Sequence, residues 1–152
     1  MSGSLAIRNR QRRVRIETRV LRRLVEYLLA EMLAVEDFEL GICIVGAREM
    51  TRVNAEHLGH AGSTDVITFD YGEASGLAGD IFVCADEAVI QARQFRTTWQ
   101  SELARYVIHG VLHLKGFDDT TVAKRRRMKR EENRLLREIT RRFTLRKLER
   151  RH

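Results

Sequence analysis

The stretch VIHGVLHLKGFDD, from Val107 to Asp119, is the most informative part of this 152-residue chain. It ends a helical pattern predicted to run from Trp99 to Lys115. The expected core stripe of this helix is Leu103, Val107, Val111 and Leu114. His109 and His113 lie on another face, because two residues along a helix rotate by about 200°. Their Cβ atoms are expected about 5–6 Å apart, a separation at which two imidazoles can bind one metal ion.

The residues after the second histidine suggest how a third ligand is supplied. Gly116 can adopt the positive φ that ends a helix, after which Asp118 or Asp119 can return a carboxylate toward the histidines. Two nitrogens and one oxygen leave a fourth position open, as in catalytic zinc sites. The alternative is a histidine hydrogen-bonded to Asp118, with Asp119 capping a helix that starts near Thr121. Gly110 occupies the glutamate position of the H-E-x-x-H peptidase pattern, so peptidase chemistry lacks its general base.

Outside this stretch, the residue pattern predicts an α+β fold. Strands are expected where β-branched or alternating residues lie between glycines and polar residues, at 12–17 (RRVRIE), 38–46 (FELGICIVG), 64–72 (TDVITFDYG) and 78–84 (AGDIFVC). Helices are expected at 18–34, 47–58 with Leu58 inward, 86–96, 99–115 and from 121 onward. A hairpin or simple loop, EASGL, joins the last two strands. We predict a single domain in which about five helices cover a small mixed sheet of about four strands.

The charge of the chain is concentrated near its C-terminus. The formal net charge is +7, yet residues 120–152 carry fourteen Lys/Arg against four Asp/Glu, and residues 1–119 carry fourteen against seventeen. Such a basic arm favours an RNA or ribosome surface, although a solvated helix explains it equally well. The candidates for RNA-backbone binding are Lys124, Arg125, Arg126, Arg127, Lys129 and Arg130.

Cysteine use and hydropathy bear on the compartment. Cys43 and Cys84 lie in apolar runs without partner spacing and are interpreted as core residues in a reducing compartment. The N-terminal segment lacks the apolar region of a secretory signal, and no run of about eighteen apolar residues occurs. These features predict a cytoplasmic protein without a membrane partner.

Several motifs together resemble one family. HGVLHLKGFDD is similar to the signature H-G-x-L-H-L-x-G-[YF]-D-H of the YbeY family, the metal-dependent endoribonucleases of bacterial rRNA maturation. TDVITFD resembles the family's T-[DN]-V-L-S-F strand, AGDIFV its L-G-D-I strand, and VNAEHLG its L-N-x-x-[YF]-R-G helix end. Met128 and Glu132 suit its M-x-x-x-E pattern. The resemblance covers roughly residues 10–138 in the family's order.

The resemblance implies one zinc ion per chain, held by three histidines of the signature. Two are His109 and His113, and the third position is Asp119, so the catalytic and metal-ligating residues are expected to be these three. A carboxylate is a known zinc ligand and also suits harder divalent ions such as manganese, which predicts a retained site with altered metal preference. Residues implied to orient ligands or position substrate are Asp118, Thr64, Asp65, Thr68 and Asp80. For Thr64 and Asp65, a turn-capping role is the alternative.

A second departure from the family pattern concerns its arginine. That residue is Leu58 here, and leucine cannot clamp a phosphate as a guanidinium does. His57 and His60 nearby are interpreted as surface residues. The family-like domain is assigned to residues 1–140, followed by a basic C-terminal extension, 141–152.

Three functions follow from these features. The first is a single-strand-specific, metal-dependent endoribonuclease that matures the 16S rRNA 3′ end during assembly of the small ribosomal subunit. The alternative is a non-catalytic RNA- or ribosome-binding assembly factor of the same fold, with a structural or vestigial metal, and Leu58 and Asp119 favour it. A zinc peptidase is disfavoured by Gly110. The oligomeric state is not indicated.

Overall fold

The computed structural model describes residues 3–72 and 76–151. These residues form four strands and five α-helices: β1 (Gly3–Arg10), α1 (Thr18–Tyr27), β2 (Phe38–Val45), α2 (Ala47–Val53), β3 (Val66–Asp70), β4 (Leu77–Cys84), α3 (Ala85–Phe95), α4 (Trp99–Leu114) and α5 (Val122–Arg142). The helices α1 and α2 each continue into a wider π-type turn, Leu28–Met32 and Asn54–Leu58, and a 3₁₀ turn, Leu145–Leu148, follows α5. The predicted single-domain α+β fold is confirmed.

One mixed sheet organises the fold. Its strand order in the described residues is β1-β2-β4-β3, with β1, β2 and β4 parallel and β3 antiparallel to β4. Because side chains alternate along a strand, one face carries apolar residues into the main core, including Leu40, Ile42, Ile44, Ile81 and Val83. The other face packs Cys43, Val45, Ile67 and Cys84 against Met50 and Val53 of α2.

The helix α4 is the central helix of the structure. It packs against β3, β4, α3 and α5, and eleven of its sixteen residues are buried. The predicted stripe is buried, but Ile108 and Leu112 are fully buried as well, because α4 lies between the sheet and other helices. Gly110 lets α4 approach the sheet closely: a Cβ at this position would lie 2.6–2.9 Å from side-chain atoms of Ile81.

Two elements differ from the sequence prediction. The first strand is Gly3–Arg10 rather than residues 12–17, because Leu5 and Ile7 provide the alternation that packs on the core, whereas Ile16 forms only an isolated bridge with Glu149. Leu58 points outward and is 45% exposed, since the chain leaves α2 through a π-type turn. The EASGL connection falls partly on residues 73–75, which lie outside the described residues.

The C-terminal residues pack against the body of the protein. Leu148 is fully buried, and its carbonyl accepts a hydrogen bond from the Glu17 N–H at 2.8 Å. The Arg150 N–H donates to the Arg15 carbonyl at 2.9 Å. The segment 143–151 therefore contributes a side chain to the core.

The predicted burial of the two cysteines is confirmed. Cys43 and Cys84 are buried and unpaired within the described residues. In the part of the chain that the structure describes, every helix is too short or too polar to span a bilayer.

Candidate metal centre

Three side chains converge at the C-terminal end of α4. His109, His113 and Asp119 each offer one ligand atom, and these atoms lie within 4.8 Å of one another. The two imidazole centroids are 4.7 Å apart, with the rings at 75°. Both histidines are partly buried and Asp119 is exposed, so the cluster opens to solvent on the carboxylate side. The cluster can hold one divalent cation.

The end of α4 brings the carboxylate to the histidines. Gly116 adopts φ +102° and its N–H donates to the His113 carbonyl at 3.0 Å, while the Phe117 N–H donates to the Leu112 carbonyl at 3.0 Å. These two bonds form a Schellman motif, which satisfies the last carbonyls of the helix and reverses the chain. Asp119 is therefore placed beside the histidines by the glycine that the sequence pointed to.

A buried carboxylate of α5 orients the first histidine. Glu132, which is 4% exposed, places Oε2 at 2.8 Å from His109 Nδ1. Its other oxygen accepts a hydrogen bond from Arg105 Nη1 at 2.8 Å, and the same guanidinium nitrogen donates to Asn133 Oδ1 at 2.8 Å. With Nδ1 as the donor to Glu132, His109 keeps Nε2 free as a ligand atom, the usual arrangement at a metal-binding histidine.

The titration behaviour of this group is consistent with a cation site. Burial alone would raise the pKa of Glu132, but hydrogen bonds from His109 and Arg105 outweigh it and hold the pKa below its usual value. Burial, followed by the charge of His109, lowers the pKa of His113. His113 is thus neutral near pH 7 and available as a ligand. Two imidazoles and one carboxylate match the donor set of catalytic zinc sites.

Sequence reasoning did not identify the role of Glu132. The only signal was its place in the M-x-x-x-E pattern, and no spacing rule connects α5 to a histidine 23 residues earlier. Met128, one helical turn before it, is 2% exposed and belongs to the main core.

The expected alternative for the two aspartates is not found. The Asp118 Oδ1 atom accepts hydrogen bonds from the N–H and hydroxyl of Thr120, at 3.1 and 2.9 Å, and Oδ2 lies 3.4 Å from Lys124 Nζ. The Thr120 bonds, with the Lys124 charge, lower the pKa of Asp118. Within the described residues Asp118 makes no hydrogen bond to either histidine. The N-cap of α5 is Thr121, whose hydroxyl accepts from the Lys124 N–H, rather than Asp119.

A cleft lies beside the two histidines, and β3 with the residues just before it forms one of its walls. The cleft beside the histidines is lined by Thr64, Asp65, Thr68 and Leu58, among others. Asp65 Oδ1 accepts from its own neighbour, the Val66 N–H, at 2.8 Å and from Thr64 Oγ1 at 3.4 Å. These residues are therefore near the candidate ligands, and Asp65 also stabilises the start of β3.

Asp80 lies elsewhere, which corrects its expected place in the cleft. It pairs with Phe69 across the sheet and accepts a hydrogen bond from the Tyr71 hydroxyl at 2.6 Å. Its neighbour Ile81 points toward α4, so strand alternation directs Asp80 to the opposite face. The sequence placed Asp80 on a strand but did not indicate which face of the sheet borders the cleft.

The basic residues of α5 divide into two groups around the site. Arg125, Arg126 and Lys129 line a cavity that also contains His109 and Asp119. The other three basic residues that the sequence pointed to are outside that lining: Lys124, Arg127 and Arg130. Lys124 contacts Asp118, and the Arg127 guanidinium lies 4.9 Å from the centre of the Phe117 ring.

Comparisons with known proteins agree on one family. The sequence profile of the family described as Endoribonuclease YbeY matches residues 6–140. A protein named Endoribonuclease YbeY from Chlorobium phaeovibrioides is 44% identical over 92 residues, which cover 60% of this chain and 62% of that protein. Its namesake from Chlorobium phaeobacteroides is 35% identical over 136 residues, covering 90% and 97%. The solution structure of TM1509 from Thermotoga maritima is similar, with a TM-score of 0.65 and 27% identity over 90% of this chain and 89% of that one.

Proposed function

The chain belongs to the YbeY family, and we propose that it is a metal-dependent endoribonuclease that cuts single-stranded ribosomal RNA. The observation that carries the proposal is the group of His109, His113 and Asp119 within 4.8 Å, with Glu132 fixed to the first histidine. The relatives are named endoribonucleases, and the match to one of them spans 97% of its length.

The cofactor proposed is zinc, one ion per chain, held by the two histidines and Asp119. A cation bound there supplies polarisation of a phosphate oxygen and a lowered pKa for the attacking water. The carboxylate ligand also makes manganese suitable. The protein's own part is to keep the ligand atoms in place: Glu132 orients His109, and the Gly116 turn holds Asp119 near His113.

Other side chains of the cleft are proposed to handle the RNA. Thr64, Asp65 and Thr68 line one wall and are proposed to position substrate or water, whereas Asp118 supports the loop through Thr120 and Lys124. The cationic residues of α5 are proposed to attract the phosphate backbone, a contribution that carries no sequence information.

The biological setting is part of the same proposal. We propose 16S rRNA 3′-end maturation in the cytoplasm, with the small ribosomal subunit as partner, supported by the family and by the basic α5. Residues 1–140 are proposed to form the nuclease domain. Residues 141–152 are proposed to be an extension, and the burial of Leu148 supports a stabilising role for it.

One observation favours a second candidate, an RNA-binding assembly factor without activity. Leu58 is exposed at the cleft, at the position that the resemblance matches to the arginine of the family pattern, and a leucine offers no donor to a phosphate. The intact ligand cluster favours the enzyme.

A cleavage assay separates the two functions. Purified protein, a chelator-stripped sample and the stripped sample with zinc or manganese restored are incubated with single-stranded rRNA. We expect cleavage by the first and third samples only. Equal cleavage by all three indicates a contaminating nuclease, and RNA binding without cleavage in any sample supports the assembly factor.

Phosphate attraction by α5 is tested with Arg126→Gln. Arg126 lines the cavity beside the metal ligands, so its loss is expected to reduce the salt dependence of single-stranded RNA binding by about 0.7 in log–log slope. The matched control is Arg137→Gln, an exposed arginine about 16 Å further along the same helix. Affinity is measured by fluorescence anisotropy at several salt concentrations. Equal slopes for both variants would place the backbone path away from the cavity.

A further inference from the structure

A cavity of about 760 Å³ lies between α3, α4 and α5 and adjoins the metal ligands. His109 and Asp119 form part of its wall, so a molecule inside it is next to the cation site. The side bordered by α5 is basic, whereas the side bordered by α3 and the first turns of α4 contains an aromatic ring, a carboxylate and a phenol. The guanidinium of Arg105, which also lines the cavity from α4, is paired with Glu132. The second side has the groups of a base-binding pocket rather than of a phosphate site.

The carboxylate on that side is Glu102. It is 6% exposed, and Oε2 accepts one hydrogen bond, from Thr97 Oγ1 at 2.7 Å. Within the described residues no cation lies within ion-pair distance of it. Its place in the first turns of α4 is favourable for a negative charge. A carboxylate buried with a single hydroxyl donor still has acceptor capacity for N–H groups of a ligand.

The phenol is Tyr106, one helical turn further along α4. Tyr106 is 3% exposed, and its hydroxyl is buried without a hydrogen-bond partner in the part of the chain that the structure describes. Burial, followed by the charges of Asp65 and Glu102, raises the pKa of Tyr106, so the hydroxyl stays protonated. Buried hydroxyls normally have a partner. Because Glu102 and Tyr106 are four residues apart on α4, they are neighbours on one face of the helix, so this donor lies beside an acceptor with spare capacity.

The aromatic ring is Phe95, the last residue of α3. It lines the cavity and is 61% exposed, although it is one of the largest apolar side chains on the surface. Proteins that bind single-stranded RNA stack unpaired bases on such rings and read their Watson–Crick edges with polar side chains.

We propose that this side of the cavity binds one unstacked guanine of the RNA, with Phe95 against the base and Glu102 and Tyr106 at its Watson–Crick edge. Guanine presents two neighbouring N–H donors, N1–H and N2–H, beside the acceptor O6, and this pattern complements a carboxylate next to a hydroxyl. Adenine has the acceptor N1 where guanine has N1–H. Uracil has the donor N3–H but an acceptor oxygen where guanine has its second donor, N2–H. The inference deepens the proposed function, because it assigns the nuclease a base preference next to the cut bond.

The test measures binding without cleavage. The 152-residue protein, kept in chelator, is titrated against the labelled tetranucleotides UUGU, UUAU and UUUU, and binding is followed by fluorescence anisotropy. We expect UUGU to bind about tenfold more tightly than the other two, since a bidentate contact discriminates by roughly this factor. Glu102→Gln is expected to remove the preference, whereas Glu26→Gln, an exposed carboxylate on α1, retains it. Equal affinity for the three RNAs, or a preference unchanged in Glu102→Gln, overturns the proposal.

Two further variants separate binding from folding. Phe95→Ala is expected to weaken binding of UUGU. Ile90→Ala, at another exposed apolar residue of α3, is expected to leave binding unchanged. Tyr106→Phe removes a hydroxyl without a partner, so the thermal midpoint is expected to stay the same or rise while the guanine preference falls. A lower midpoint would show that the hydroxyl has a structural partner and would overturn its assignment.

The outcomes also distinguish this proposal from the proposed function. A guanine preference in chelator together with no cleavage in metal supports the pocket and rejects the nuclease. Metal-dependent cleavage without any base preference in binding supports the nuclease and rejects the pocket.

Discussion

His113→Ala is expected to lower the rate of single-stranded rRNA cleavage by at least about three orders of magnitude, or about 4 kcal/mol in activation free energy. The imidazole is one of three ligand atoms within 4.8 Å, and its loss leaves two protein ligands for the cation. Catalytic zinc sites use three protein ligands, so the variant is expected to be purified with little metal. Cleavage rate and metal content by mass spectrometry are measured on the same preparation.

The control for this prediction is the same substitution at another histidine, His57. His57 is exposed and stacks edge-on against Phe69 with 5.5 Å between centroids, outside the ligand cluster. His57→Ala is expected to retain metal and most of the activity. Unchanged metal content in His113→Ala would contradict the ligand assignment.

The adjacent aspartates provide a second comparison within the same site. Asp119→Ala is expected to reduce the metal content, because only Asp119 has an oxygen in the cluster. Asp118→Ala is expected to retain it, since the Asp118 carboxylate bonds Thr120 and Lys124. Equal loss of metal in both variants would mean that metal binding depends on the conformation of the loop rather than on the Asp119 carboxylate.

Glu132→Gln is expected to reduce metal affinity by about 10–100-fold, although Glu132 is not itself in the ligand cluster. In this variant a neutral amide replaces the buried, negatively charged carboxylate that contacts His109 Nδ1 and Arg105 Nη1. The same change is expected to lower the free energy of unfolding by about 1–3 kcal/mol, because it leaves buried donors without an anionic acceptor. Affinity is measured by chelator competition and stability by urea unfolding of metal-free protein.

The matched control is Glu131→Gln on the same helix. Glu131 is partly exposed and pairs with Arg134, and exposed pairs contribute about 0–1 kcal/mol. This variant is expected to bind metal normally. If Glu131→Gln and Glu132→Gln lost metal affinity equally, a general weakening of α5 rather than the Glu132–His109 bond would be the cause.

The lowered pKa of Glu132 also gives this prediction a pH dependence. A carboxyl whose pKa is lower in the folded state stabilises the fold above its unfolded pKa, about 4.3 for glutamate, and this contribution is lost as pH falls through the folded value. The difference in unfolding free energy between wild type and Glu132→Gln is therefore expected at neutral pH and to shrink below about pH 4. A difference that grew on acidification would contradict the assignment.

Much of the fold was predictable because the signals are local. The 16-residue helix α4 is encoded by apolar residues at helical spacing, and its end by Gly116, since only a few neighbouring residues decide a helix stop. The strands β2, β3 and β4 follow from β-branched runs. The strand β1 was placed too late, because its two inward residues, Leu5 and Ile7, give a weaker alternation than the segment after it.

The candidate site was predictable to the same local extent. The spacing of His109 and His113 fixed them on one helical face, and the resemblance to a known signature pointed to Asp119. The positions of Glu132 and Asp80 were not predictable, since each depends on how a distant segment packs: α5 brings Glu132 to His109, and strand alternation turns Asp80 to the other face.

The sequence by itself therefore determined the helix, its stop and the shared face of the two histidines, because these depend on dihedral preferences and spacing within about ten residues. The choice of Asp119 over Asp118 came from the resemblance to a known signature. Only the tertiary structure decided what surrounds them. Three features arise from elements that meet only when the core closes. They are the approach of α4 to β4 at Gly110, the contact between Glu132 and His109, and the cavity lined by Glu102 and Tyr106. Burial removes water from the Glu132 carboxylate, and the partners that replace it, His109 and Arg105, come from a helix more than 20 residues earlier in the chain.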